Sequence, residues 1–290
     1  MILVAGGSGR LGTLIVRRLK ARGLSVRVLT RDRRRTAHFE GSRVEVIEGD
    51  VRDGGSLHAA MVGVGTVVSA IHGFGDIGNV SPASVDRDGN YNLIGAAASA
   101  NAAVVLMSIV GASPEHPIEL FRMKYAAEEY LRASGAPWTI LRATAFAEFW
   151  LDLLEQTAGA SGRPIIFGRG ANPINFVSVS DVAALAERVV VDPSARGATF
   201  EIGGPQNVSF NELVARLQHA SGRTAPPRHV PRTILRALAA VLGPVQPNRA
   251  RQLRAAIVMD TRDLSFAATD LHRRFPELPV TSLAAILTHR

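Results

Sequence analysis

The amino-acid sequence predicts an α/β fold, a doubly wound parallel sheet with a smaller C-terminal substrate lobe. Three observations carry that prediction. Short apolar runs alternate with amphipathic stretches over the first 140 or so positions. The first apolar run, Ile2 to Ala5, passes directly into glycines spaced three apart, Gly6, Gly9 and Gly12, and then into the helical pattern Leu11 to Ala21. Finally, the residues just past each predicted strand are small, polar or charged, so a parallel sheet would gather them on one rim, where α/β sheets bind ligands.

Ile2 to Ala5 has no polar position, the pattern of a strand buried on both faces. Gly6 suits the tight turn, Gly9 lets the backbone approach a pyrophosphate, and Gly12 lets the helix pack closely on the strand. Gly7, Ser8, Arg10 and Leu11 complete that loop, whose helix N-terminus points unpaired N–H groups at an anion. Ser25 to Leu29 reads as the second strand, Val44 to Ile47 as the third, with a short helix from Ser56. Thr66 to Ser69 is the fourth, ending in Ala70-Ile71-His72, followed by a glycine-rich loop and a helix from Val85 to Ala100. Ala103 to Met107 is the fifth, closing on Ser108; a helix over Phe121 to Ser134 leads to the sixth, Trp138 to Leu141. Beyond it, Phe146, Phe149 and Trp150 open a new helix and are candidates for a substrate wall. Asn175 to Val179 reads as a strand, Ser180-Asp181 as the cap of a helix to Val191, and Thr199 to Ile202 as a further strand. Ser209 and Glu212 form a capping box, and the remainder reads as helix and loop.

The second strand ends in Thr30-Arg31, where an acidic residue about 20 positions past the glycines would hold a ribose 2′-hydroxyl. A guanidinium instead suits a 2′-phosphate, so the pattern favours NADP(H) over NAD(H), with Arg33, Arg34 and Arg35 adding charge and Asp32 opposing it.

Composition narrows the chemistry. There is no cysteine, which removes disulfides, thiolate catalysis and cysteine-bound metal, and the eight histidines show no ligand spacing, so no metal is expected. Apolar stretches fall short of the roughly 18 residues of a membrane span, and a strand at Ile2 leaves no room for a signal peptide; a cytoplasmic chain without membrane contact is expected. The formal charge is +8, yet only Lys20 and Lys124 of the 33 basic residues are lysine. Between Leu213 and Met259 eight arginines and no acid occur, a segment suited to an anionic group or an acidic protein partner. It lacks the helix-turn-helix, zinc or interleaved-aromatic signature of direct nucleic-acid binding.

Gly6-Gly7-Ser8-Gly9-Arg10-Leu11-Gly12, Gly49-Asp50-Val51, Asp86-Arg87-Asp88-Gly89-Asn90, Met107-Ser108, Lys124-Tyr125-Ala126-Ala127-Glu128 and Trp138-Thr139-Ile140-Leu141-Arg142 occur in this order. They are followed by Asn175 to Ala183 and Ile202-Gly203-Gly204-Pro205. In these residues the chain resembles the extended and atypical short-chain dehydrogenase/reductases, most closely the NmrA-like NAD(P)-binding branch. The resemblance implies a Rossmann domain, here assigned to 1–150 plus 172–203, with 151–171 plus 204–290 as the lobe that closes over the nicotinamide. It also implies that Asp50 and Val51 contact adenine, that Ala70 and Ile71 flank the cofactor's sugar and nicotinamide, that Lys124 hydrogen-bonds the nicotinamide ribose, and that Ser108 is the active-site serine. The family's tyrosine, four residues before the lysine, is replaced by Leu120, and Tyr125 lies about 100° around the helix from Lys124. His72, on the cofactor rim, and His116 are candidate acids near neutral pH.

The function implied is an NADPH-dependent oxidoreductase reducing a small, planar, apolar acceptor such as a quinone, enone or imine. The alternative is a non-catalytic NADP(H)-sensing regulator that acts through a protein partner.

Overall fold

The computed structural model describes residues 1–39, 44–74, 80–267, 269–288 and 290. Part of the glycine-rich loop expected after Gly73 lies outside the described residues. In chain order the strands are β1 (Ile2–Ala5), β2 (Val26–Thr30), β3 (Val44–Glu48), β4 (Thr66–Ser69), β5 (Ala103–Ile109), β6 (Trp138–Ala143), β7 (Ala145–Phe146), β8 (Ile165–Phe167), β9 (Ile174–Val177), β10 (Ala198–Ile202), β11 (Asn207–Val208) and β12 (Arg228–Val230). The helices are α1 (Arg10–Ala21), α2 (Gly54–Met61), α3 (Asp88–Ser99), α4 (Glu119–Ala133), α5 (Ala147–Ala158), α6 (Val179–Val190), α7 (Phe210–Ser221), α8 (Arg232–Leu242), α9 (Pro247–Met259), α10 (Thr269–Arg274) and α11 (Leu283–Thr288). No helix among the described residues is long and apolar enough to cross a membrane.

The chain divides into two units, Met1–Arg142 with Val182–Glu201, and Ala143–Asp181 with Ile202–Arg290. The central sheet runs β10-β6-β5-β4-β1-β2-β3, and the pairings from β5 through β3 are parallel. All four residues of β1 are buried, as their unbroken apolar run requires of a strand covered on both faces. Strand order reverses between β1 and β4, so the crevice of a doubly wound sheet opens there. Leu3, Leu57, Leu93, Leu106, Leu131 and Ile140 fill one face of the sheet. Glu187 of α6 ties back to α1 through Arg18, at 2.6 Å, and Arg22.

The segment from Val85 was expected to be regular helix. Instead a π-helical turn spans Pro82–Arg87 ahead of α3, with Ser81 and Ser84 forming a capping box and Pro82 in the first turn. That irregular turn is what turns Asp86 inward, where it is fully buried.

In the second unit β7 pairs in parallel with β9, and β11 runs antiparallel to it. Two strands that the sequence does not announce, β8 in a stretch without an assigned element and β12 in one read as helix and loop, pair in parallel. Each has three residues, too few for alternation to register. Ser180-Asp181 does not cap α6. The helix begins at Val179, whose N–H is bound by Glu148, while Ser180 N–H donates to Ser178 Oγ at 3.2 Å. Asp181 instead accepts from Thr281 N–H at 2.7 Å and Oγ at 2.6 Å, a tertiary contact that no local pattern announces. The capping box at Ser209 and Glu212 is present. Buried Asn175 accepts from Thr144 Oγ and Gly204 N–H and donates to Gly204 O and Asn207 Oδ1, so this motif asparagine organises the unit rather than a reaction.

Candidate functional site

The glycine turn is built by close approach. Gly6 has φ +82°, and a Cβ there would lie 2.5 Å from Ala70 O, across the crevice between β1 and β4. A Cβ on Gly12 would lie 2.1 Å from Gly6 O, whereas one on Gly9 would meet only Gly6 O, at 3.3 Å. Thr13 Oγ donates to Gly7 O at 3.1 Å and braces the loop. The α1 N-cap is Gly9, with no side-chain cap and no acid in the first turn. A helix start with backbone donors, a positive dipole end and no side-chain acceptor suits a pyrophosphate. The residues present therefore fit a dinucleotide.

At the end of β2, Thr30 Oγ donates to Ser8 Oγ at 3.3 Å, and Arg35 reaches Ser8 O at 3.5 Å. Asp32 accepts from Arg34 N–H and Nε, both at 3.0 Å, and the Arg34 guanidinium holds its carboxyl below the usual range. The one acid that would oppose a 2′-phosphate is thus already paired with a neighbour. Arg31 is exposed. Asp50, past β3, is held by Arg52 at 2.6 Å and likewise kept below the usual carboxylate range, chiefly by that hydrogen bond, while Val51 O accepts from Asn92 at 3.0 Å.

The centre of the rim is the end of β4 and β5. Lys124 on α4 is buried and donates to Ile71 O and Met107 O, each at 3.0 Å; its Nζ also lies 3.0 Å from Asp86 Oδ1. Two of the three ammonium N–H bonds are thus taken by backbone carbonyls, and the charge lies beside the buried carboxylate. The lysine expected to hold a ribose therefore pins the ends of two strands. Burial opposes ionisation of Asp86, but the charges of Lys124 and His72 outweigh it and hold the carboxyl below its usual pKa. Asp86 Oδ2 accepts from Gly73 N–H at 2.8 Å, and His72 Nδ1 is 3.7 Å from Oδ1.

Ser108 is also engaged. Its hydroxyl donates to Glu128 Oε1 at 2.5 Å, and the fully buried Glu128 also accepts from Arg142 Nη2 at 2.7 Å and Arg132 at 3.1 Å. Ser108, Glu128 and Arg142 thus form one structural clamp. Leu120, in the tyrosine's place, is buried, and Tyr91 and Tyr130 stack on each other at 4.2 Å. His116 serves its own turn: Nδ1 accepts from Ile118 N–H at 3.1 Å, and the ring stacks on Phe121 at 3.9 Å.

Of the expected aromatic wall, Phe149 and Trp150 meet edge-on at 5.4 Å. Trp150 packs edge-on against Phe210 at 5.0 Å and belongs to the second unit's core. Phe149 is 53% exposed, and Phe146 is half-buried. The cavity lined by Trp150, Leu153, Phe167, Phe210 and Met259 holds about 20 Å³, room for a water and not for a ring. Sequence reading missed the roles of Asp86 and Glu128. Asp86 and Asn90 stand one helical turn apart, so they fall on one face; Asn90 donates to Asp86 O and accepts from Ser69.

Among described residues no cluster of acids and histidines suits a metal ion. The sequence profile of the NAD(P)H-binding family matches residues 6–193. The chain is 29% identical to an NAD(P)H azoreductase of Xenophilus azovorans over 85% of this chain and 82% of that protein. It is 26% identical to a photosystem II assembly factor of Trieres chinensis over 94% and 86%. Among solved structures, a Citrobacter triphenylmethane reductase complexed with NADP(H) superposes with TM-score 0.80 at 21% identity, covering 99% of both chains. An NADPH-dependent quinone oxidoreductase of Escherichia coli does so with TM-score 0.80 at 21% identity, covering 100% of this chain and 99% of that one. The Rossmann-type fold expected from the sequence is therefore shared along the whole chain, the resemblance to the NmrA-like branch stands, and the chain belongs to the NAD(P)H-binding family.

Proposed function

We propose that this protein is an NADPH-dependent reductase of a small, planar, apolar acceptor such as a quinone, enone or imine. The observation that carries the proposal is the uncapped start of α1 behind a glycine turn that touches Ala70, with arginines at the end of β2. Gly6 to Gly12 would hold the pyrophosphate, Arg31 the 2′-phosphate, Asp50 and Val51 the adenine, and Ala70 and Ile71 the nicotinamide side. Bound NADPH supplies a hydride. Lys124 fixes the Ile71 and Met107 carbonyls, and so sets where the ends of β4 and β5 stand within the ~0.5 Å tolerance that catalysis demands. By name, an azoreductase is among the relatives, and a triphenylmethane reductase and a quinone oxidoreductase are among the similar structures, which supports an aromatic or quinone-like acceptor.

A second reading has its own observation: the assembly factor matched over 94% of the chain is named for a role in assembling other proteins, and Leu120 removes the family's tyrosine. In that reading the arginines between Leu213 and Met259 meet an acidic partner. Steady NADPH oxidation with a panel of quinones supports the reductase. NADPH binding without turnover on any acceptor, together with a co-purifying partner released by salt, supports the sensor.

A further inference from the structure

A reductase of quinones needs a proton as well as a hydride, and the expected donors are absent or occupied. Leu120 replaces the tyrosine, the Ser108 hydroxyl donates its hydrogen bond to Glu128, and His116 Nδ1 serves its own turn. At the end of β4, however, Asp86 presents an anomaly. The residue is 0% exposed, and its Oδ1 has no hydrogen bond. Lys124 Nζ approaches that oxygen within 3.0 Å but out of hydrogen-bonding line, its other contacts being the Ile71 and Met107 carbonyls. Buried carboxylate oxygens normally have a partner, and one left without calls for explanation. His72 supplies the candidate: Nδ1 stands 3.7 Å from Oδ1, and the side chain is 53% exposed. With Nδ1 toward the buried carboxylate, Nε2 on the opposite edge of the ring is turned away from it.

We propose that His72 is the proton donor of the reduction and that Asp86 is its positioning residue, accepting Nδ1–H on the oxygen that otherwise lacks a hydrogen bond. The proposal rests on the reductase reading. Closing from 3.7 Å to a charge-assisted hydrogen bond of about 2.8 Å requires about 1 Å of ring movement. Imidazole changes protonation near neutral pH, the range in which a general acid works best. NADPH held at the rim would supply the hydride, leaving a quinone acceptor as its anion. The anionic oxygen then forms an O–H bond as the Nε2–H bond of the imidazolium breaks. The neutral ring recovers its proton from water through its exposed edge.

Two acceptors separate this role from a general contribution to the site. A quinone takes a hydride and a proton, whereas a triarylmethyl cation takes the hydride alone. His72→Gln should lower quinone turnover at least tenfold, general acids contributing roughly 10²- to 10⁴-fold, while turnover of the cationic dye stays within about twofold. Asp86→Asn, which also leaves Lys124 without its buried counter-charge, should lower both rates but the quinone rate by the larger factor, and added imidazole should restore part of the quinone rate to His72→Gly. Fluorescence titration should find the NADPH affinity of His72→Gln within about twofold of the unmodified protein. Equal losses on both acceptors, an unchanged quinone rate, or a tenfold weaker NADPH affinity would overturn the assignment, the last making His72 a cofactor contact. Wild type that reduces neither acceptor removes the reductase reading itself. Wild type that reduces both, with no split in the variants, removes only the donor.

Discussion

Lys124→Met tests whether the rim is held together by a buried charge pair. The substitution barely changes helix propensity, so any loss of stability reports the ammonium's surroundings. It takes the ammonium from within 3.0 Å of a carboxylate that is 0% exposed, and it strips two backbone carbonyls of a donor. Removing one member of a buried pair costs about 3–5 kcal/mol, because the other charge is left without compensation. Against a total stability on the order of 5–15 kcal/mol, that is a large share, and the urea midpoint should fall by about 1–3 M. Asp86→Asn in the same chain should recover more than half of the loss. The amide carries no charge, and its oxygen still accepts from Gly73 N–H. A full double-mutant cycle, read by equilibrium unfolding, gives the coupling directly. A single mutant within about 1 kcal/mol of wild type, the range of an exposed ion pair, would refute the argument that Lys124 pins β4 to β5.

Three further outcomes follow from the same geometry. Arg31→Ala should weaken NADPH binding on the order of 10- to 100-fold and leave NADH nearly unchanged, since one charge-assisted contact contributes about 1.5–3 kcal/mol; equal affinities for the two cofactors in wild type count against it. Gly12→Ala places a Cβ 2.1 Å from Gly6 O, a backbone atom that cannot swing aside, so calorimetry should show loss of NADPH affinity together with a destabilisation of about 1–3 kcal/mol; retained affinity contradicts the close-packed turn. The pKa of Asp86 is depressed below 3.8 in the folded chain: burial opposes this and Lys124 and His72 prevail. A depressed carboxylate adds stability above its unfolded pKa and loses it as pH falls through the folded value, so Asp86→Asn should flatten the loss of stability below about pH 3.8. The part contributed by Glu187 with Arg22 and Arg18 remains, and an unaltered acid limb in the variant speaks against the assignment.

The sequence was most informative where one physical demand governs several neighbouring residues. Ile2 to Ala5 must be apolar at every position to sit inside a parallel sheet, and Gly6 and Gly12 lack a side chain for a steric reason visible in the distances. These demands are local, so they are written locally. The three-residue strands β8 and β12 pair across more than 60 positions of sequence, and neither carries a pattern of its own. Asp181 is explained only by Thr281, a hundred residues away. The aromatic cluster spans two elements that sequence proximity does not separate: Phe146 lies in β7, whereas Phe149 and Trp150 lie on α5, edge-on to each other, with Trp150 also packed against the core.

The motif residues around Lys124 show how a family pattern can be kept while individual side chains do different work. Ser108, Glu128 and Arg142 come from three separate matched motifs, yet their hydroxyl, carboxylate and guanidinium are spent on one another. Lys124 shares its motif with Glu128, Asp86 comes from a fourth, and the two hold the Ile71 and Met107 carbonyls and the Gly73 N–H in place. Five motif residues thus form two polar clamps at the carboxyl end of the sheet, each burying a fully enclosed acid against a cation. Such clamps are conditional: each is stable only while every member is present, because a lone buried charge costs far more than the pair contributes. A rim built this way can lose the tyrosine at position 120 without losing its shape, since Leu120 belongs to neither clamp. What it cannot lose without reorganising are Lys124, Asp86 and Glu128.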